Sequence, residues 1–424
     1  MSVDQEIINI IQQISAIPRA SQREQLISGW LQNWASRHGF QFQQDKAGNL
    51  VIRIDPTPGY ENTSTIVLKG HMDMVCEKMP DSRHDFSKDP IRCVIEGEWL
   101  HADNTTLGAD NDIAIGLAVA LVENPKVFHP ILELLFTVEE EISLGGAVHL
   151  PKGFISGKIL VNLASEEDVF IIGCACGIKS NIELPLTFSP IMDKEQAYKI
   201  TINGLKGGHS GVDIHKNRAS ANKSLTRLLG DLIETVPFRK ADIRGGTAHN
   251  AIAREAEVTT LIDNTNKTRL ESKIAPFQQV LMDELIGSVD SINFRLTDAQ
   301  AENAVTDLDS KKIVALLEAL PHGVFKMLTT IAGFEETSHN LATLEMKNSK
   351  LVIVSSQRSI LDSQLVEITR RISAIAHLSG AEVLQVDHYP AWNPKLNSSL
   401  WSVVARSMNN YLEPLPALKP FMLA

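Results

Sequence analysis

Four stretches of the chain group side chains that can hold a cation or move a proton. Gly70-His71-Met72-Asp73 follows an apolar run. Its His-x-Asp spacing pairs a neutral imidazole, the commonest nitrogen ligand of zinc, with a carboxylate able to orient the ring or sit beside the metal. Taken alone, the same four residues read equally well as a turn. Thr106-Leu107-Gly108-Ala109-Asp110-Asn111-Asp112 stands where a helix begins. Asp110 could bridge two metals there, since a carboxylate carries two oxygens; as good a reading is a helix cap, with Asn111 or Asp112 meeting free backbone N–H groups. Glu139-Glu140-Glu141 directly follows the apolar run Leu132 to Val138. Neighbouring carboxylates at a buried strand end repel one another unless a cation or shared proton relieves them, and the carboxyl ends of parallel strands are where open α/β sheets bind ligands. In the fourth stretch, Gly207-Gly208-His209-Ser210-Gly211, the flanking glycines leave an imidazole open to a ligand, although a hairpin that contains histidine explains them too. Asn250 and Arg358 add groups suited to an amide or carboxylate, which arginine grips through two parallel bonds.

The elements that position these residues follow two patterns. Up to about residue 180, strands alternate with helices. Ser21 and Glu24, at capping-box spacing, predict a helix to about Gly39, followed by strands over 49–54 and 65–68, a helix over 111–123, and strands over 131–138 and 158–162 with a Gly-rich stretch between them that could carry a helix. This predicts an α/β fold with a mostly parallel sheet covered by helices on both faces. Beyond it, strands over 181–188 and 198–203, a helix over 218–235, a strand pair within 248–262, a helix over 268–286 and a strand, helix, strand series from 350 to 388 predict a separate α+β domain. The expected division is 1–182 for the first domain, 183–387 for an inserted one and 388–424 for the return, marked by Pro390 and Pro394, with a short helix over about 398–411.

Composition narrows the function classes. The 424 residues carry 51 acidic against 40 basic side chains, a net charge of −11, which argues against nucleic acid or an anionic membrane surface as the main partner. The longest apolar run, near 115–122, is far short of the roughly 20 residues of a bilayer span, and the N-terminus has no basic signal-like region. Four cysteines, none in a CxxC pair, form neither a disulfide framework nor a zinc finger. A cytoplasmic protein is expected, with Cys174 and Cys176 as buried structural thiols.

Taken in order, GHMDMV (70–75), HDFSKDPI (84–91), TTLGADN (105–111), TVEEE (137–141), SEE (165–167), GLKGGHSG (204–211), NAIARE (250–255), RSILDS (358–363) and YPAW (389–392) closely resemble the aminoacyl-histidine dipeptidase family. These are co-catalytic di-zinc peptidases, related to carnosinase and aminoacylase. The resemblance implies a zinc-peptidase-like catalytic domain with an inserted lid that also forms a homodimer. It implies zinc, two ions per subunit, with manganese or cobalt as alternatives, and hydrolysis of dipeptides, Xaa-His and broader. Carried over, it places His71 on one zinc, Asp110 as the bridge, Glu141 on the second zinc, Asp73 as the residue that orients His71, and Glu140 as general base. His209 would reach the partner subunit's site, while Asn250 and Arg358 would hold the substrate's carboxylate end. Two departures accompany the matches. Ala164 stands where the family has an aspartate ligand, and the segment bearing the second zinc's histidine is not in the sequence. They leave an alternative: a catalytically silent member that keeps the cleft and lid without a complete di-zinc site.

Overall fold

In the computed structural model, residues 3–79, 81–164, 169–285, 291–329, 333–393, 399–408 and 417–421 are described. The chain forms two compact units, Met1–Asp168 and Val169–Ala424.

The first unit is α/β. In chain order it contains α1 (Val3–Ser15), α2 (Gln25–His38), β1 (Gln41–Gln44), β2 (Leu50–Ile54), β3 (Ile66–His71), β4 (Cys93–Glu96), β5 (Trp99–Ala102), α3 (Ala109–Glu123), β6 (Leu132–Thr137) and β7 (Ile159–Asn162). The main sheet runs β1-β2-β6-β3-β7. β3 lies parallel to both β6 and β7, while β1 and β2 form an antiparallel flank. All six residues of β6 are buried, which is why its sequence is mostly apolar rather than a regular apolar/polar alternation. Its one charged residue, Glu133, is accommodated because its carboxylate accepts the N–H groups of Ser156 and Gly157. Ile10, Ile14, Leu31, Trp34, Ile115, Val119, Leu134 and Phe136 join α1, α2, α3 and the sheet in one core. The Gly-rich stretch after β6 carries two single helical turns, Glu140–Ser143 and Gly145–Val148.

The second unit is α+β. Its largest sheet has nine strands, all antiparallel, in the path Asn293–Asp298, Glu195–Asn203, Ala256–Asp263, Phe238–Gly245, Glu335–Lys347, Lys350–Ser359, Cys176–Pro185, Glu382–Tyr389, with Gly323–Met327 paired to Glu335–Lys347. Helices Ala221–Ile233, Lys267–Glu284, Asp307–Ala319 and Asp362–Leu378 bury Leu225, Leu228, Ile274, Leu317 and Ile368 against Ile200, Val258, Leu344 and Ile353. Strand Cys176–Pro185, within which the expected boundary at 182 falls, lies whole in this unit, as do the described residues from 388 onward. The expected final helix is described over Ser399–Met408.

Lys240 in this core is wholly buried; its Nζ donates to Ser310 O at 2.8 Å and lies 4.5 Å from the centre of the Phe238 ring. Burial pulls its amine down from the ordinary 10.5 to about 7. Between those values the unfolded chain holds the proton and the native chain does not, so stability must rise with pH across that window. The expected slope from this one group is up to about 1.4 kcal/mol per pH unit. Urea unfolding from pH 7 to 10 should show that rise in the parent and a flatter profile in Lys240→Met.

Candidate active site

The parallel strands β3 and β6 end side by side, with His71 paired to Thr137, and both deliver their polar residues past the carboxyl edge of the sheet. His71 is 1% exposed. Its Nδ1 faces the Asp73 carbonyl at 3.1 Å and its Nε2 faces Asp110 Oδ1 at 2.9 Å, with Glu140 Oε2 at 3.9 Å. The Nδ1–H bond to a carbonyl leaves Nε2 turned toward the carboxylates. Gly70 lets α3 come this close: a Cβ there would stand 2.8 Å from Asn111 Oδ1 and 2.9 Å from Ala114 Cβ.

Asp73 is fully buried and fully engaged. Oδ1 accepts the Glu140 N–H at 3.0 Å; Oδ2 accepts the Ser21 hydroxyl at 2.7 Å and the Glu141 N–H at 3.1 Å. Burial pushes its carboxyl up, but the bonds from His71, Ser21 and the two amides prevail and hold it at about 2. It therefore fixes both the imidazole and the turn that carries Glu140 and Glu141.

The ligand atoms of His71, Asp110 and Glu141 all lie within 4.8 Å of one another, the donor set of a metal centre. The electrostatics fit a cation there. Burial, with Asp110, Glu140 and Asp73 close by, pushes the Glu141 carboxyl up to about 7. For His71, burial opposes the charged form, yet Asp110, Asp73 and Glu140 raise it to about 9. Both shifts are protons taken up against excess negative charge, and a divalent ion relieves the same excess. Lys69 on β3 adds a half-buried amine, lowered by loss of solvent and pulled back up by Glu140, Asp110 and Asp73.

Several supporting residues take roles the sequence did not suggest. Ser21 and Glu24 do not form a capping box: Glu24 occupies the N-cap of α2 without a side-chain cap bond, Ser21 bonds Asp73, and Glu24 Oε1 accepts the Glu139 N–H at 2.9 Å. Partners far along the chain draw both side chains away from the helix amides, although Glu24 Oε1 also accepts the nearby Gln22 N–H at 3.1 Å. Nor do Asn111 and Asp112 cap α3, whose N-cap is Gly108. Asn111 Oδ1 accepts the His71 N–H at 3.0 Å, and Asp112 Oδ2 pairs with Arg19 at 2.5 Å, both side chains 1% exposed. That pair ties the turn bearing Asp110 to the end of α1, because Arg19 also donates to Ile14 O and Gly108 O. Arg19→Leu is expected to cost about 3–5 kcal/mol by leaving Asp112 buried and unpaired, with much of the loss recovered in Arg19→Leu/Asp112→Leu, as denaturant melts of both will show.

Ala164 lines a cavity of about 650 Å³ together with Asp110 and Asn111, and its methyl brings no ligand atom. Glu166 and Glu167 lie outside the described residues.

His209, Asn250 and Arg358 fall in the second unit. Gly208–His209 pairs with Ala251–Ile252, and the Ser210 N–H donates to Asn250 O at 2.7 Å, which joins the two loops. His209 Nδ1 accepts the Gly211 N–H at 3.1 Å, so its remaining proton sits on Nε2. Burial, reinforced by Arg358 and only partly opposed by Asp213, lowers it to about 4 and keeps the ring neutral at pH 7. Burial pushes the thiols of Cys174 and Cys176 up to about 11 and about 12, the behaviour of structural cysteines. Among the described residues no helix is long and apolar enough to cross a membrane.

An α/β unit with a histidine–carboxylate centre at its strand ends, joined to an α+β unit, is the architecture of the M20 peptidases. Residues 200–288 match the model of the peptidase dimerisation domain of that class. The chain is 34% identical over 417 residues to the cytosol non-specific dipeptidase of Escherichia coli K12, covering 98% of this chain and 86% of that protein. The crystal structure of aminoacylhistidine dipeptidase from Vibrio alginolyticus superposes with a TM-score of 0.87 at 31% identity, covering 100% of this chain and 88% of that one. Aminopeptidase PepT from Bacillus cereus, at 15% identity and a TM-score of 0.53, shares the fold. The chain belongs to the cytosol non-specific dipeptidase family.

Proposed function

We propose that the protein is a cytoplasmic, homodimeric metallodipeptidase that hydrolyses Xaa-His and other dipeptides. The observation that carries this reading is the convergence of His71, Asp110 and Glu141 on one point with Glu140 beside them. Zinc suits this donor set, as do manganese and cobalt. When bound there, the cation supplies a Lewis acid for the scissile carbonyl and brings the pKa of water near 7. Glu140 takes the proton of the attacking water and passes it to the leaving amine. Asp73 keeps His71 and the Glu140–Glu141 turn in place. His209, neutral with its proton on Nε2, donates to the substrate's oxygen across the dimer, and Asn250 and Arg358 hold the substrate's carboxylate. The lid and dimerisation surface belong to residues 183–387.

The silent-relative reading is not favoured, since identity to a dipeptidase runs through nearly the whole chain and His71, Asp110, Glu140 and Glu141 stand assembled. The test is product analysis on Ala-His, Gly-Leu, their N-acetyl forms and tripeptides. Cleavage confined to free dipeptides supports the proposal; cleavage of none, or of longer peptides at equal rate, overturns it.

A further inference from the structure

Resting on the reading that Arg358 holds the substrate's carboxylate, we infer that Tyr389 supplies a further bond to that carboxylate through its phenolic hydroxyl. Three adjacent strands of the second unit bring the two residues together. Gly177 pairs with Arg358 on one side and with Tyr389 on the other. Directly paired residues of neighbouring strands project from the same face, so Arg358 and Tyr389 flank a position that has no side chain. A Cβ at Gly177 would collide with Oη and Cζ of Tyr389 and stand 2.6 Å from its Cε1. The phenol therefore lies across the bare backbone of Gly177, which sets its hydroxyl over the strand next to that of Arg358.

A bulge makes this placement. Val386 pairs with Lys179, so an unbroken ladder would set His388 opposite Gly177. One extra residue sets Tyr389 there instead, with Asp387 in the left-handed region at φ 54° and its carboxylate on Lys179. Pairing resumes beyond it, where the Trp392 N–H donates to Cys174 O at 2.9 Å and the Cys174 N–H to Trp392 O at 2.8 Å. The backbone thus holds Tyr389 from both sides.

The same face carries the loop of Asn250. Ser356, two residues before Arg358, donates its hydroxyl to His249 O at 3.1 Å. Burial pushes the Tyr389 phenol above its ordinary 10 while Arg358 pulls the other way, so the hydroxyl keeps its proton at neutral pH and can donate it. Among the described residues that hydroxyl makes no hydrogen bond, and it is not sealed from solvent. A carboxylate gripped by arginine through two parallel bonds still has lone pairs left for a phenol.

The experiment uses the metal-loaded full chain and follows Ala-Leu hydrolysis by Tyr389→Phe and Arg358→Lys, with thermal melts to show that both variants are folded. Tyr389→Phe keeps the ring and removes only the hydroxyl. It is expected to raise KM about 10- to 100-fold, the worth of one bond to a charged group, with kcat within about 3-fold of the parent. Arg358→Lys should raise KM at least as far, since lysine lacks the planar fork. A parental KM in Tyr389→Phe, or a kcat that falls as far as KM rises, overturns the proposal; the reading of Arg358 survives that result if Arg358→Lys still raises KM. A parental KM in Arg358→Lys overturns that reading, and the proposal with it.

Discussion

Glu140→Gln is expected to lower kcat for dipeptide hydrolysis by about 10²- to 10⁴-fold, the span by which a positioned general base accelerates proton transfer. The geometry makes this a clean substitution. Glu140 touches the centre only through its side chain, 3.9 Å from His71 Nε2, while its backbone N–H bonds Asp73 and survives the change. Glu140 is not among the three clustered ligand residues, so metal content should match the parent. KM should move little, because the amide removes a proton acceptor rather than a binding contact. The measurement is steady-state kinetics at matched metal loading. A variant with parental kcat would remove Glu140 from the mechanism; one that loses its metal would make it a ligand instead.

Asp110→Ala is expected to do more. It removes one of three donors and the partner 2.9 Å from His71 Nε2, leaving fewer protein ligands than a zinc site ordinarily has. Metal affinity should fall by at least about 100-fold, above the loss typical of disturbing a ligand's supporting partner, and hydrolysis should become undetectable at stoichiometric metal. Asp110 is 40% exposed, so the fold should tolerate the change, with a melting temperature close to the metal-free parent. Competition with a zinc-binding dye measures the first effect and thermal melts the second. Parental affinity in this variant would mean that the metal lies elsewhere.

Much of the site was readable because its residues sit at abrupt transitions in the sequence. His71 and Glu139–Glu141 stand where apolar runs end, since parallel strands buried on both faces stop at the sheet edge. Asp110 is placed by Gly108 at the start of a helix. Ser21, Glu24, Asn111 and Asp112 were misread for a common reason: each has a plausible local hydrogen-bond role, and a buried partner between 40 and 115 residues away took precedence. Arg19 gave no signal beyond a charge next to Pro18; Lys69, a charge inside an apolar strand, could have been noticed. In the second unit, strand Glu335–Lys347 was missed. Ser338, His339 and Asn340 are buried in it, so its sequence lacks the apolar alternation that marks a half-buried strand. Strand Phe238–Gly245 carries Arg239, Lys240, Asp242 and Arg244, and is buried largely through ion pairs and hydrogen bonds such as Arg239 to Glu195. The order of the nine-stranded sheet depends on pairings between distant segments, such as Lys350–Ser359 with Cys176–Pro185, for which local pattern gives no cue.

Hydrolysis of a Xaa-His dipeptide, followed while zinc is titrated into chelator-stripped protein, tests the central claim most directly. The account predicts no turnover in the stripped chain and recovery in proportion to bound metal. Undiminished turnover in protein shown by elemental analysis to be free of metal would contradict it.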